Sequence, residues 1–130
     1  MISYNDEYIQ RIEDTLNDED FAEKARNAKT KEELTALFAG KGIETEEAMV
    51  EAMLNKLNGI NNGEELTESE LMLVAGGRSR HTFRRLVYTL ASGGIIVAAA
   101  STGNPIVIAL GIGAALQVVY WGTKKDLQGK

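Results

Sequence analysis

Apolar residues recur along the first half of the chain with the spacing of amphipathic helices. Ile9, Ile12 and Leu16 stand three and four residues apart, so they share one face of a helix. Three further stripes follow: Phe21, Ala22, Ala25 and Ala28; then Leu34, Leu37 and Phe38; then Met49, Met53, Leu54 and Leu57. Residues 1–58 are therefore predicted to form a small all-helical domain. A core built from about 60 residues alone is only marginal.

Polar residues and glycines predict where these helices begin and end. Thr30 and Glu33 form a capping box, in which each side chain accepts a backbone N–H at the helix start. The other predicted boundaries are a cap at Ser3, a break at residues 17–20, a glycine turn at residues 40–42, a cap at Thr45 and a stop at Asn58-Gly59.

The second half of the chain contains 38 consecutive uncharged residues, from Leu86 to Thr123. The turn residues Gly103-Asn104-Pro105 divide this run into two apolar segments. Helices that are apolar all round belong inside a large protein or in a bilayer, and a span takes roughly 20 residues. We therefore expect an apolar helical hairpin that prefers membranes.

Small residues within the two segments favour close helix packing. Gly94 and Ala98 are four residues apart, as are Gly111 and Ala115. Strands over residues 106–108 and 118–120 are the alternative, because β-branched and aromatic residues favour sheets.

The charge of the chain divides at Gly77. Residues 1–77 hold 7 Lys/Arg and 18 Asp/Glu, a net charge of −11, whereas residues 78–130 hold 7 Lys/Arg and 1 Asp, a net charge of +6. The acidic half argues against nucleic acid as its partner. The basic residues that flank the apolar run favour an anionic membrane as the partner of the second half.

The sequence offers little for catalysis or metal binding. There is no Cys, and the one His, His81, stands among arginines and is expected to be solvated. We expect no metal and no cofactor, and no catalytic residue is visible, so the chain is not predicted to be an enzyme. The Ser and Thr hydroxyls of the second half leave a modification enzyme as a candidate partner. Without Cys we expect little ring chemistry.

Residues 66–77, LTESELMLVAGG, are the most informative stretch. Thr67 and Glu70 form a second capping box, and Leu66 and Leu71 can form a hydrophobic staple around it. Both signals predict a short helix that begins at Thr67.

The glycine pair after this helix has two interpretations. Leu71 and Val74 share one helical face, and Gly76 and Gly77 follow just beyond the predicted end at Ala75. Glycines commonly end helices. A protease with a narrow tunnel would also admit this backbone, because the pair has no side chains.

The combination resembles the double-glycine leader motif of bacteriocin and other ribosomal peptide precursors. In that family the peptidase domain of an ABC transporter binds the leader and cuts after the second glycine, and the transporter exports the cargo. The chain departs from the family pattern at one position: an upstream docking residue that is apolar in the family is Gly63 here. The resemblance then implies that docking at this position is weaker or is taken over by Ile60. The residues it assigns are Gly76, Gly77 and Arg78 for cleavage, and Leu66, Glu70, Leu71 and Val74 for docking.

Residues 18–45 also resemble a known leader family, the nitrogen-fixation-type leaders. The similar stretches are Asp18-x-x-Phe21-x-Glu23-Lys24, Asn27-Ala28-Lys29-Thr30-x-Glu32-Glu33-Leu34-x-x-Leu37-Phe38 and Lys41-Gly42-Ile43-x-Thr45. With the glycine motif, the two resemblances cover residues 18–77.

Together these features predict a secreted-peptide precursor with three parts. Residues 1–58 are a helical leader domain, residues 59–77 a flexible linker with the docking helix and glycine motif, and residues 78–130 a cationic, bacteriocin-like cargo. The first residues lack the pattern of a signal peptide, so we expect a cytoplasmic precursor whose cargo is secreted after cleavage. Two alternatives stay open: a two-helix, holin-like or regulatory membrane protein with an acidic cytosolic domain, and a soluble enzyme subunit.

Overall fold

The computed structural model describes residues 2–63, 82–92 and 105–128. These ranges are all-helical, which confirms the predicted fold class, and within them no strand occurs. The helices are α1 (Asp6–Leu16), α2 (Glu19–Arg26), α3 (Lys31–Gly40), α4 (Glu47–Asn61), α5 (Thr82–Ser92) and α6 (Pro105–Gln128).

The apolar stripes predicted for α1 to α4 form one buried core. The buried rings of Phe21 and Phe38 pack edge to face within it, with centroids 5.0 Å apart. The buried members of the predicted stripes are Ile9, Ile12, Leu16, Phe21, Ala22, Ala25, Ala28, Leu34, Phe38, Met49, Met53 and Leu57. The helical spacing of the sequence therefore identified the buried faces correctly.

Several predicted helix boundaries are confirmed. The Thr30 hydroxyl accepts the Glu33 backbone N–H at 3.1 Å, and the Glu33 carboxylate accepts the N–H of Lys29 at 3.2 Å. Asp18 re-caps the chain for α2, within the predicted break. Gly42, just after α3, has φ +75°, the left-handed conformation expected of the glycine turn.

Three other boundary predictions are wrong. Asn5, not Ser3, caps α1 by accepting the Tyr8 N–H at 2.9 Å, and Asn is among the best capping residues. Glu46, not Thr45, precedes α4, and its side chain makes no capping hydrogen bond. The predicted stop at Asn58-Gly59 is passed, since α4 continues to Asn61.

The passage of α4 through Asn58-Gly59 has a packing explanation. A glycine inside a helix costs about 1 kcal/mol relative to alanine. Leu57 is buried on one side of the pair, and Ile60 packs against the core on the other. Burial of an aliphatic side chain contributes roughly 1.5–3 kcal/mol, which exceeds the cost of the glycine.

Helix α6 lies in the middle of the bundle. Its most extensive contact is with α4, and it also packs against α5, α2 and α1. Helix α3 covers α4 and α2 from the outside. The strand alternative for residues 106–108 and 118–120 is wrong, because both segments belong to α6.

The predicted apolar hairpin is not shown. Helix α5 starts at Thr82, ahead of the uncharged run, and is amphipathic: Phe83, Val87 and Leu90 are buried, whereas Tyr88 is exposed. Helix α5 does contact α6, but α6 packs more extensively against α4 of the first half. Residues 93–104, which include most of the predicted turn and the Gly94/Ala98 pair, lie outside the described residues.

One helix start in this region agrees with the sequence. Helix α6 begins at Pro105, the last residue of the predicted turn, where a proline has a suitable φ and lacks an N–H that would go unpaired anyway. Among the residues whose side chains are described, no helix is long and apolar enough to cross a membrane.

Candidate functional site

The candidate site is the groove that α1, α2, α4 and α5 form around α6. From residue 105 to residue 119, every position of α6 is buried or half-buried. Its fully buried residues, each at most 1% exposed, are Val107, Ala109, Leu110, Ala114, Ala115, Leu116 and Val118. A helix that is apolar all round requires cover on all sides. The protein provides that cover itself, with helices from both halves of the chain.

The backbones of α6 and α4 approach each other closely at Gly111. A Cβ atom added at Gly111 would lie 2.3 Å from the carbonyl oxygen of Met49 and 2.8 Å from Cβ of Ala52. Real Cβ atoms do not approach other atoms that closely, so the position accepts only glycine without a shift of α4. Of the predicted small-residue pair, Gly111 therefore serves packing against α4, and Ala115 is fully buried.

Hydrogen bonds at the edge of the groove join the two halves of the chain. Arg26 Nη1 donates to the backbone carbonyl of Val118 at 3.1 Å. Gln117 Nε2 donates to Asn17 Oδ1 at 3.1 Å. The Tyr88 hydroxyl of α5 donates to the carboxylate of Asp6 at 3.0 Å. Each such bond contributes about 0.5–1.5 kcal/mol; the first two favour one register of α6, and the third attaches α5 to α1.

Two tyrosines connect α1 to the segment before α4. The Tyr8 hydroxyl donates to the Glu44 carbonyl oxygen at 2.6 Å, and the Tyr4 hydroxyl donates to the Glu46 carboxylate. Burial, together with the negative charges of Glu44 and Glu46, raises the pKa of Tyr8 to about 12. Burial and the hydrogen bond to Glu46 raise the pKa of Tyr4 as well. Both phenols stay protonated at neutral pH, so this cluster is suited to holding α4 in place and not to proton transfer.

Two exposed ion pairs link α3 to its neighbours, one to the cap of α2 and one to α4. Lys41 Nζ lies 2.6 Å from Asp18 Oδ2, and this hydrogen bond lowers the pKa of the Asp18 carboxyl and raises that of Lys41. Lys31 Nζ lies 2.7 Å from Glu47 Oε1, and this hydrogen bond raises the pKa of Lys31 and lowers the pKa of the Glu47 carboxyl. Exposed pairs of this kind contribute little stability, so we assign them a positioning role.

The site residues predicted from the sequence lie outside the described residues. These are Leu66, Glu70, Leu71 and Val74 for docking and Gly76, Gly77 and Arg78 for cleavage. His81 lies outside as well. Ile60, the proposed substitute for Gly63 in docking, is half-buried and packs against the hydrophobic core.

Sequence reasoning missed the groove itself. Two features of the sequence could have predicted it: an apolar helix must be buried on all sides, and the core that residues 1–58 form alone is marginal. Nothing in the local pattern pairs Gly111 with Met49, which is 62 positions earlier in the chain. Within the described ranges, no group of three or more His, Asp or Glu side chains is arranged to hold a metal ion.

Comparison with protein families, with curated proteins and with solved structures finds no match for this chain. The leader interpretation therefore rests on the sequence motif alone.

Proposed function

We propose that the chain is a secretion precursor and a substrate, not an enzyme. The peptidase domain of an ABC transporter binds the leader, residues 1–77, and cuts between Gly77 and Arg78. The cargo, residues 78–130, is then exported. The observation that carries this proposal is the docking pattern of Leu66, Leu71 and Val74 in fixed register before Gly76-Gly77, at the point where the charge of the chain changes sign.

The position of the motif relative to the described helices supports the proposal. The motif lies between Gly63, after α4, and Thr82, the first residue of α5. A cut after Gly77 separates α1 to α4, on a segment of net charge −11, from α5 and α6, on a segment of net charge +6. Processing at this one bond thus divides the molecule into two chemically distinct products.

The properties of the cargo favour a membrane as its target. In the intact chain, Leu110 and Leu116 of α6 are covered by the surrounding helices. A peptide of residues 78–130 alone is too small to bury so apolar a helix. Its cationic residues are attracted to anionic lipid, each contributing about 1 kcal/mol near the surface. We therefore propose a bacteriocin-like, membrane-active peptide, exported from a cytoplasmic precursor, with a modification enzyme as a further candidate partner.

The cleavage step is tested with the full chain and a purified transporter peptidase domain that processes double-glycine leaders. Mass spectrometry is expected to show two products, residues 1–77 and residues 78–130. Gly76→Val and Gly77→Val are expected to reduce cleavage to background, because a branched side chain does not pass a tunnel that fits glycine.

Gly40→Val is the matched control for these variants. It makes the same change at the end of α3, where an added Cβ meets nothing within 4 Å, so cleavage should proceed as in the unaltered chain. Cutting at another bond, or normal cutting of both valine variants, would overturn the assignment of Gly77 and Arg78 as the cleavage site.

A further inference from the structure

We infer that the leader helices are also a binding partner of the cleaved cargo and hold α5 and α6 without a covalent link. The cut after Gly77 belongs to the proposed function, on which the biological meaning of this inference rests. The interface itself consists of described residues. On this view, cleavage and release are two separate steps.

The first support is the extent of the contact between the two products. On the leader side, α4, α2 and α1 all pack against α6, and α1 also contacts α5. The side chains of Leu110, Leu116 and Val118 are at most 1% exposed, with α6 as the central helix. Cleavage of a bond in residues 64–81 removes none of these contacts, and separation of the products would return this apolar surface to water.

The second support is the specificity of the contact. At Gly111, α4 and α6 approach so closely that a Cβ would lie 2.3 Å from the Met49 carbonyl oxygen, so this contact needs a glycine at this position of α6. The bonds from Arg26 to the Val118 carbonyl and from Gln117 to Asn17 fix the rotation and the register of α6. A general apolar surface has no such requirement, so the groove is built for this particular helix.

The third support is charge complementarity. The leader carries a net charge of −11 and the cargo a net charge of +6. Opposite net charges favour association, and salt screens that attraction over about 8–10 Å at physiological ionic strength. The apolar contact remains when the charges are screened, so the complex should persist at moderate salt.

Release then requires a competitor that takes up the apolar helix. An anionic bilayer meets this requirement, because it offers both hydrocarbon for α6 and negative charge for the arginines and lysines of residues 78–130. The leader accordingly keeps the cleaved peptide bound until a competing site takes up α6.

The test uses the full chain with the recognition sequence of a site-specific protease inserted after Gly77. After complete cutting, the sample is analysed by size-exclusion chromatography and native mass spectrometry at 0.15 M salt. We expect one species that contains both fragments in a 1:1 ratio, eluting with the uncut chain. Two separately eluting fragments would overturn the inference. Because the inserted site replaces the natural cut, this result is independent of the transporter peptidase.

Gly111→Ala and Gly40→Ala are the matched pair for the interface. Gly111→Ala is expected to raise the dissociation constant of the cut complex at least ~10-fold, since its Cβ collides with the backbone of α4. Gly40→Ala should leave the constant unchanged, because its Cβ meets nothing within 4 Å. Equal constants would contradict the proposed contact. If Gly111→Ala does not fold, Gln117→Ala, which loses only the bond to Asn17, is expected to weaken the complex measurably.

The two proposals fail in different ways. A cut complex that stays together, with no natural cleavage after Gly77, would support the interface and reject the precursor. Natural cleavage after Gly77 followed by immediate separation of the products would support the precursor and reject retention of the cargo.

Discussion

At the scale of single residues, Tyr8 shows how burial couples the fold to pH. Its hydroxyl donates to the Glu44 carbonyl at 2.6 Å, and its pKa rises from 10.0 to about 12. Because the folded value lies above the unfolded value, the unfolded chain loses the proton first as pH increases. The stabilisation is therefore fully present below pH 10 and is lost progressively as pH rises towards 12.

We predict that the free energy of unfolding, measured with urea from pH 8 to 11, falls at the alkaline end and falls less steeply in Tyr8→Phe. Tyr8→Phe lacks the titrating hydroxyl, although it also starts from a lower stability because the bond to Glu44 is lost. The remaining slope comes from Tyr4, Lys31 and Lys41, whose pKa values are also raised in the folded state. Identical slopes for the two proteins would show that Tyr8 is not held as described.

At the scale of helices, the sequence predicted buried faces better than helix ends. The stripe of Ile9, Ile12 and Leu16 is buried as its spacing requires. The stop predicted at Asn58-Gly59 is wrong, because a local turn preference is weaker than the burial of Leu57 and the packing of Ile60 on either side. Short-range patterns measure only the local preference, whereas the packing depends on partners that are distant in the chain.

Thr30 and Thr45 test this distinction between apparent and real helix caps. Both stand shortly before a helix, but only Thr30 accepts a helix N–H, that of Glu33 at 3.1 Å. We predict that Thr30→Ala lowers the free energy of unfolding by about 0.5–2 kcal/mol and that Thr45→Ala lowers it clearly less. Urea denaturation of the two variants measures the difference. A larger loss in Thr45→Ala would mean that α4 begins as the sequence suggested.

At the scale of the whole molecule, two parts that are incomplete alone complete each other. A domain made of residues 1–58 has a marginal core, and an apolar α6 has no cover in a peptide of residues 78–130. Packing α6 among α1, α2, α4 and α5 meets both needs. The sequence predicted both the marginal core of residues 1–58 and the lack of cover for the apolar segment. It placed α6 in a hairpin, because the contact of Gly111 with Met49, which is distant in the chain, leaves no local pattern.

The same arrangement connects the fold to the proposed activity. The apolar side chains that a bilayer would take up, such as Leu110 and Leu116, are fully buried in the intact chain. The net charge of −11 on residues 1–77 would also oppose the proposed attraction of residues 78–130, with a net charge of +6, to anionic lipid. If the proposed function holds, burial and charge both restrain residues 78–130 while they are attached to residues 1–77.

Dye release from vesicles that contain anionic phosphatidylglycerol tests this central claim most directly. We expect a synthetic peptide of residues 78–130 to release the dye, and the full chain to release much less at the same concentration. Release should weaken as added salt screens the surface charge. Equal release by the full chain and the peptide would contradict the restraint by the leader and favour a membrane protein that acts uncut. An absence of release from both would reject the membrane-active cargo.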